Sequence, residues 1–260
     1  MKIIIVTQEE NLYLPRSFAK VCRAWPDSVV AIVSAPAMST HGGTRKGFIK
    51  HFRLFGVRGT AILAARVILA KLKAMLTSPG REGPFHSIEQ VARAWHIPYH
   101  PVPDLKGRRF TAVLDQHQPD LLVSISCPQV IGKSIRDRLP LGAINVHGAP
   151  LPRYRGLMPA FWVLRNGETT TATTVHYLAA KLDDGEIVGQ REIEILPQDT
   201  WDSLVRRTKD AGADLLVGAI VQIRDGTVVP RPNPEAEGTY FSFPTAEDKR
   251  AFLAAGRRFF

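Results

Sequence analysis

Along this chain, short and nearly continuous apolar runs alternate with stretches in which apolar residues recur every three or four positions. Lys2 to Val6 and Ser28 to Val33 read as two strands, with a helix from about Pro15 to Ala24 between them, a βαβ opening. A helix near Ser87 to Trp95, a short strand around Pro98 to Val102 and a helix near Phe110 to Gln116 continue the rhythm. Asp120 to Ser126 and Gly142 to Val146 have the short, nearly continuous apolar runs of buried parallel strands. Thr171 to Leu178 and Glu186 to Ile195 are strand-like runs joined by the turn-rich AAKLDDG. Thr200 is placed to cap a helix reaching about Arg224, with Leu204, Ala211, Leu215, Ala219 and Ile223 along one face. A proline-rich segment, a short strand at Thr239 to Phe243 and a helix capped by Thr245 with Asp248 follow. This order predicts an α/β fold with a mostly parallel sheet covered by helices.

One segment breaks the pattern. From Pro36 to about Phe85 the chain reads as a basic insertion with a helical repeat through Ile62, Ala65, Arg66, Leu69 and Leu72. The formal net charge of the 260-residue chain is +10, and no acidic residue lies between Ser28 and Arg81, whereas Arg45, Lys46, Lys50, Arg53, Arg58, Arg66, Lys71, Lys73 and Arg81 do. A solvated face normally mixes signs, so this asymmetry points to an anion. It would be the diphosphate of a nucleotide-linked substrate met by Arg45 and Lys46, or acidic lipid met by the helix from Ile62 to Met75.

Composition sets further bounds. The 45% hydrophobic content supports a well-buried core. Cys22 and Cys127 are far apart and form no ligand or redox motif, which fits a reducing cytoplasm. The opening MKIIIVTQEE meets acids at once and has no small-residue cleavage site, so it reads as a strand and not a leader. The turn after Val6 has no glycine, which argues against a dinucleotide cofactor. The histidines show no metal-ligand spacing with cysteines, so no metal is expected.

The densest chemistry lies in INVHGAPLPRYRGLMP, Ile144 to Pro159, directly after a predicted central strand, where open α/β sheets gather functional residues. Asn145 and His147 are two apart, so an extended backbone puts both on one face. An amide donor beside an imidazole can hold a developing oxyanion and manage a proton. Such a histidine needs an orienting carboxylate, and Asp183 or Asp184 in KLDDGEIV is the best supply, although an Asp-Gly turn can equally just join strands.

These residues carry a resemblance. Asn145-Val146-His147, then Leu151-Pro152-Arg153-Tyr154-Arg155-Gly156 and Pro159, then Leu182-Asp183-Asp184-Gly185 resemble in order and spacing the tetrahydrofolate-dependent formyltransferase family, over about Ser87 to Ile195. That family includes methionyl-tRNA formyltransferase, glycinamide ribonucleotide formyltransferase and sugar N-formyltransferases, and the likeness in kind is greatest to the last. One departure is Ala149-Pro150-Leu151-Pro152, where most members have Ser-Leu-Leu-Pro.

The resemblance implies a Rossmann-like formyltransferase fold, with a catalytic domain over residues 1–229, the insertion at about 36–86 and a short extension at 230–260. It implies 10-formyltetrahydrofolate as formyl donor and Asn145, His147 and Asp183 as the catalytic set. The pterin would be held by Cys127, Pro128, Gln129, Val130 and Ile131 and by Ala179, Asp183, Asp184, Gly185, Ile187 and Val188, and His176 is a candidate substrate contact. The acceptor is expected to be a small amine, first a nucleotide-linked amino sugar. Transfer RNA is disfavoured because the family members that act on it carry a second domain, whereas about thirty residues follow Pro230 here. The competing readings are hydrolysis of the donor to formate, a tRNA-type enzyme lacking that domain, and a non-catalytic basic protein that binds nucleic acid or membrane. A homodimer stays open.

Overall fold

Ile3-Ile4-Ile5-Val6 has no polar side chain to turn towards water, so a strand built from it is stable only with both faces covered. In the computed structural model, which describes residues 1–36 and 43–260 and only the backbone of residues 43–46, this run is β1 (Ile3–Thr7). β1 lies inside the sheet, paired in parallel with β2 (Val29–Ser34) and β4 (Leu121–Ile125). β3 (Tyr99–Pro101) extends the sheet beside β2, and β5 (Ala143–His147) extends it beside β4, both in parallel. β7 (Thr170–Tyr177) and β8 (Ile187–Glu194) then add as an antiparallel pair, giving the order β3-β2-β1-β4-β5-β7-β8 among the described residues. The expected mostly parallel sheet is therefore observed.

Helices cover both faces. α1 (Leu14–Ala24), α3 (Ile88–Ala94) and α7 (Trp201–Arg224) enclose one core with Phe18, Ile88 and Leu216, and α4 (Arg108–His117) and α5 (Lys133–Arg136) close the other over Phe110, Leu114 and Ile135. Full burial of a side chain such as Phe18 or Phe110 contributes about 1.5–3 kcal/mol. A third cluster joins α6 (Pro159–Arg165) to α8 (Ala246–Ala254) through Phe161, Trp162, Phe252 and Phe259, so the last thirty residues are packed into the body. The short β6 (Arg155–Gly156) pairs in parallel with β9 (Tyr240–Phe241) in the same region. Both expected helix starts form: Thr200 and Ser203, and Thr245 and Asp248, make reciprocal capping boxes.

Two helix faces differ from the sequence reading. The buried side of α7 runs through Leu204, Thr208, Gly212, Leu216, Ala219, Ile220 and Ile223, so Leu204, Ala219 and Ile223 of the expected stripe face inward, whereas Ala211 and Leu215 are only partly buried at its edge. The reason lies at Gly212, where a Cβ would come 2.9 Å from Thr173 Oγ1 and Val146 Cγ1: the helix presses its backbone on the sheet at a residue that hydrophobicity overlooks. The insertion forms α2 (Gly43–Leu76), one long helix bent at Gly56 (φ 69°). Its inner side is Gly59, Leu63, Arg66, Ala70 and Ala74, packed on the body, so of the predicted stripe through Ile62, Ala65, Arg66, Leu69 and Leu72 only Arg66 lies on it. Apolar residues surround this helix, so no single stripe stands out in the sequence. The side chains of Arg45 and Lys46 lie outside the described residues.

Candidate active site

β5 delivers Asn145 and His147 to the carboxyl end of the sheet. Antiparallel pairing sets His176 of β7 opposite Asn145 and Thr174 opposite His147. The loop after β7 then returns Asp183 to the same place. Asp183 has a left-handed backbone (φ 52°), and two residues on, a Cβ at Gly185 would sit 1.8 Å from the Tyr177 carbonyl oxygen, so this turn closes only with glycine there.

The loop is clamped from outside. Gly156 N–H donates to Asp183 Oδ2 at 2.9 Å, and the Asn233 amide donates to the carbonyls of Asp183 and Gly185 at 2.9 Å each. Arg155 is buried, donating to Asp184 Oδ1 at 2.6 Å and to the side-chain and main-chain oxygens of Asn233 at 3.0 Å. Gly156 adopts φ 97°, and a Cβ on it would meet the Phe241 carbonyl at 2.2 Å, so the RYRG and LDDG motifs lock together through a glycine and the tail strand. Asp184 thereby fastens the loop, and Asp183 is the carboxylate turned inward.

Asp183 lies between two imidazoles. His147 Nδ1 is 3.6 Å from Oδ2, and His176 Nε2 is 3.6 Å from Oδ1. The other nitrogen of each ring contacts a backbone carbonyl at 2.8 Å: His147 Nε2 that of Tyr154, and His176 Nδ1 that of Tyr177. A carbonyl only accepts, so these nitrogens carry protons, and in a neutral His147 ring the Nδ1 that faces Asp183 is bare. The Asn145 amide donates to His176 Nε2 at 3.2 Å. Asn145 is only half-buried, and among the described residues its Oδ1 and second N–H have no protein partner.

Electrostatics agree with this assignment. Burial pushes His147 below its ordinary value, against the pull of the Asp183 carboxylate and the Tyr154 carbonyl, so the ring is neutral at pH 7. Burial alone would raise Asp183, but the neighbouring His147 and His176 rings and the Gly156 N–H hold it at about 2. A neutral imidazole thus faces an ionised carboxylate.

Residues 81–220, more than half of the chain, match the Formyl transferase family. The chain belongs to the formyl transferase family. It is 36% identical over 162 residues to the methionyl-tRNA formyltransferase of Syntrophus aciditrophicus (strain SB), covering 62% of this chain and 52% of that protein. It thus spans about half the length of that relative. Solved structures share the fold at low identity. The N-formyltransferase from Helicobacter canadensis, in complex with folinic acid and dTDP-3-aminofucose, has a TM-score of 0.60 at 16% identity, over 98% of this chain and 80% of that one. Glycinamide ribonucleotide transformylase 1 from Symbiobacterium toebii has a TM-score of 0.62 at 16% identity, over 90% and 94%.

Within this formyl transferase fold, the structure brings Asn145, His147 and Asp183 together. His176 has no exposed surface, so it reaches a substrate only through Asn145 and Asp183. Of the expected pterin loops, Ile131, Ile187 and Val188 are buried, and Val130 is open to solvent. Gln129 is engaged at both ends of its amide, accepting from Leu105 N–H and donating to the Pro36 carbonyl, so it shapes its loop. Burial pushes the Cys127 thiol up to about 11, which leaves it neutral. Arg136 ties the two loops together, donating to the carbonyls of Ile131 at 2.8 Å and Ala179 at 2.9 Å.

Sequence reasoning missed Lys209 of α7, whose amine donates to the Ser126 hydroxyl just beyond β4 and which burial pushes below its ordinary value. Nothing in the sequence distinguishes it from a surface lysine. It also missed Glu10, which accepts from the N–H groups of Leu12, Tyr13 and Leu14 at 2.7–2.8 Å and so fills the anion-binding start of α1 itself. A surface hollow of about 390 Å³ lined by Leu114, Asp120 and Arg138 lies at the opposite, amino end of β4, away from this chemistry.

Proposed function

We propose that this formyl transferase moves the formyl group of 10-formyltetrahydrofolate to a primary amine at the carboxyl end of β5. The observation that carries this reading is the free amide of Asn145 beside a carboxylate set between two imidazoles, of which the neutral His147 turns a bare nitrogen towards it. When bound, the donor supplies an activated formyl carbon. The fit is good on chemical grounds: the two loops joined by Arg136 each present an exposed apolar side chain, Val130 and Leu182, as a flat ring requires.

The chain's own groups then have defined tasks. The free N–H of Asn145 donates to the oxygen that gains charge as the amine nitrogen bonds to the formyl carbon. His147 Nδ1 and Asp183 Oδ2 face each other as two acceptors, so one proton entering between them is held by both. That proton is the one the attacking amine must lose, and it passes to the nitrogen that leaves the formyl carbon. His176 is a positioning residue that holds Asn145 by accepting from its amide.

For the acceptor we propose a nucleotide-linked amino sugar, prompted by the fold shared with the Helicobacter canadensis enzyme in complex with dTDP-3-aminofucose. Its phosphates would not sit at the start of α1, because Glu10 already satisfies those amides. Methionyl-tRNA is the second reading, favoured by the 36% identity to an enzyme of that name. Incubating the protein with 10-formyltetrahydrofolate and each acceptor class, read by mass spectrometry, separates them. Formylated amino sugar is the expected product. Formylated methionyl-tRNA would replace the first reading by the second, and formate release without any acceptor would replace both by hydrolysis.

A further inference from the structure

The insertion helix has two apolar faces, and the body of the protein covers one of them. Beyond the bend at Gly56, Gly59, Leu63, Arg66, Ala70 and Ala74 follow one another at steps of three and four and face inward. Arg66 pairs with Asp202 at 2.9 Å, and the Ala74 carbonyl accepts from Gln90 at 3.0 Å. Val57, Ala61, Ala64, Ile68, Leu72 and Met75 recur at the same steps on the opposite side, where none of the described residues covers them. Val57 is 75% exposed, Ile68 59% and Met75 83%. Before the bend, Phe48 and Phe52 also stack in the open, with ring centroids 6.3 Å apart. Isolated surface apolar residues are ordinary, but a continuous stripe along five turns of helix marks a covered surface.

Charge selects the occupant. Arg58, Lys71 and Lys73 stand exposed beside the stripe, and residues 43–76 contain eight lysines and arginines and no acidic residue. A second copy of this chain would lay like charges against like, with no carboxylate on the helix to relieve them. A nucleic acid would use the cations and leave the stripe wet. An anionic bilayer surface satisfies both features: the stripe enters the boundary between headgroups and acyl chains while the long basic side chains extend to the phosphates. Among the described residues no helix is long and apolar enough to cross a membrane, so the contact would be peripheral.

We propose that the outward face of α2 docks this protein on anionic lipid. The test is sedimentation of the full chain with phosphatidylcholine vesicles, with and without phosphatidylglycerol. The wild type should bind the anionic vesicles, release them at high salt, and leave the neutral ones in suspension. Replacing Ile68, Leu72 and Met75 by Ser, or Arg58, Lys71 and Lys73 by Glu, should each weaken binding about tenfold or more. Because all six side chains are exposed, circular dichroism melting should be unchanged, which keeps the loss interpretable. The proposal is overturned if the wild type ignores anionic vesicles, or if either triple variant binds as the wild type does. It is also overturned if the serine variant converts a dimer into a monomer without lipid, since the stripe would then be a self-interface.

Discussion

Asp183 is the residue on which the site turns, and its surroundings set the pH behaviour. Its folded value of about 2 is below the ordinary 3.8, so the stability it contributes is full above 3.8 and is lost as pH falls towards 2. His147 is also depressed, below 6.5, so its contribution is full above 6.5 and is lost as pH falls through the lower folded value. Activity, which needs the neutral ring, should therefore hold at neutral pH and fall on an acid limb below 6.5. Asp183→Asn removes the charge that pulls His147 upward, so an NMR titration of that ring should show protonation at still lower pH. A ring that titrates higher in the variant would mean that the carboxylate does not act on His147. The pair Asn145 and His147 was legible because strand periodicity fixes which side chains share a face. Lys209, Glu10 and Asn233 were not, because their parts depend on contacts between segments distant in the chain.

Strands and helices were legible where one period dominated, as in β1 and β4, whose short apolar runs are buried throughout. The face of α2 and the middle of the α7 face were misread for a common reason: close approach is made by Gly and Ala, which weigh little in any hydrophobic pattern. This gives a paired prediction within α7. Gly212→Ala gains up to about 1 kcal/mol of helix propensity, but it drives a Cβ against Thr173 and Val146, and overpacking costs about 1–3 kcal/mol. The variant should lose stability. At the exposed Gly218 a Cβ meets nothing within 4 Å, so Gly218→Ala should gain up to about 1 kcal/mol in the same helix. Urea denaturation of both variants checks the signs, and equal effects would mean that α7 does not bear on the sheet at Gly212.

The parts of the chain cooperate on one small volume at the carboxyl end of the sheet. β5 and β7 supply Asn145, His147 and His176, the LDDG loop supplies Asp183, and the RYRG segment and Asn233 from the tail hold that loop in place. The succession of strands along the chain and the family motifs were legible; the tail's part was not, because PRPNPEAEG reads as a linker until Asn233 is seen inside the fold. The site is also separable from the outward face of α2, so loss of lipid contact and loss of chemistry can be observed independently. The most direct test of the account is formyl transfer by Asn145→Ala and Asp183→Asn measured at saturating 10-formyltetrahydrofolate, with melting curves taken in parallel. Each variant should fold normally and turn over about a hundredfold or more slowly, the scale of a lost oxyanion donor or proton carrier; wild-type rates in either would contradict the assignment of this site.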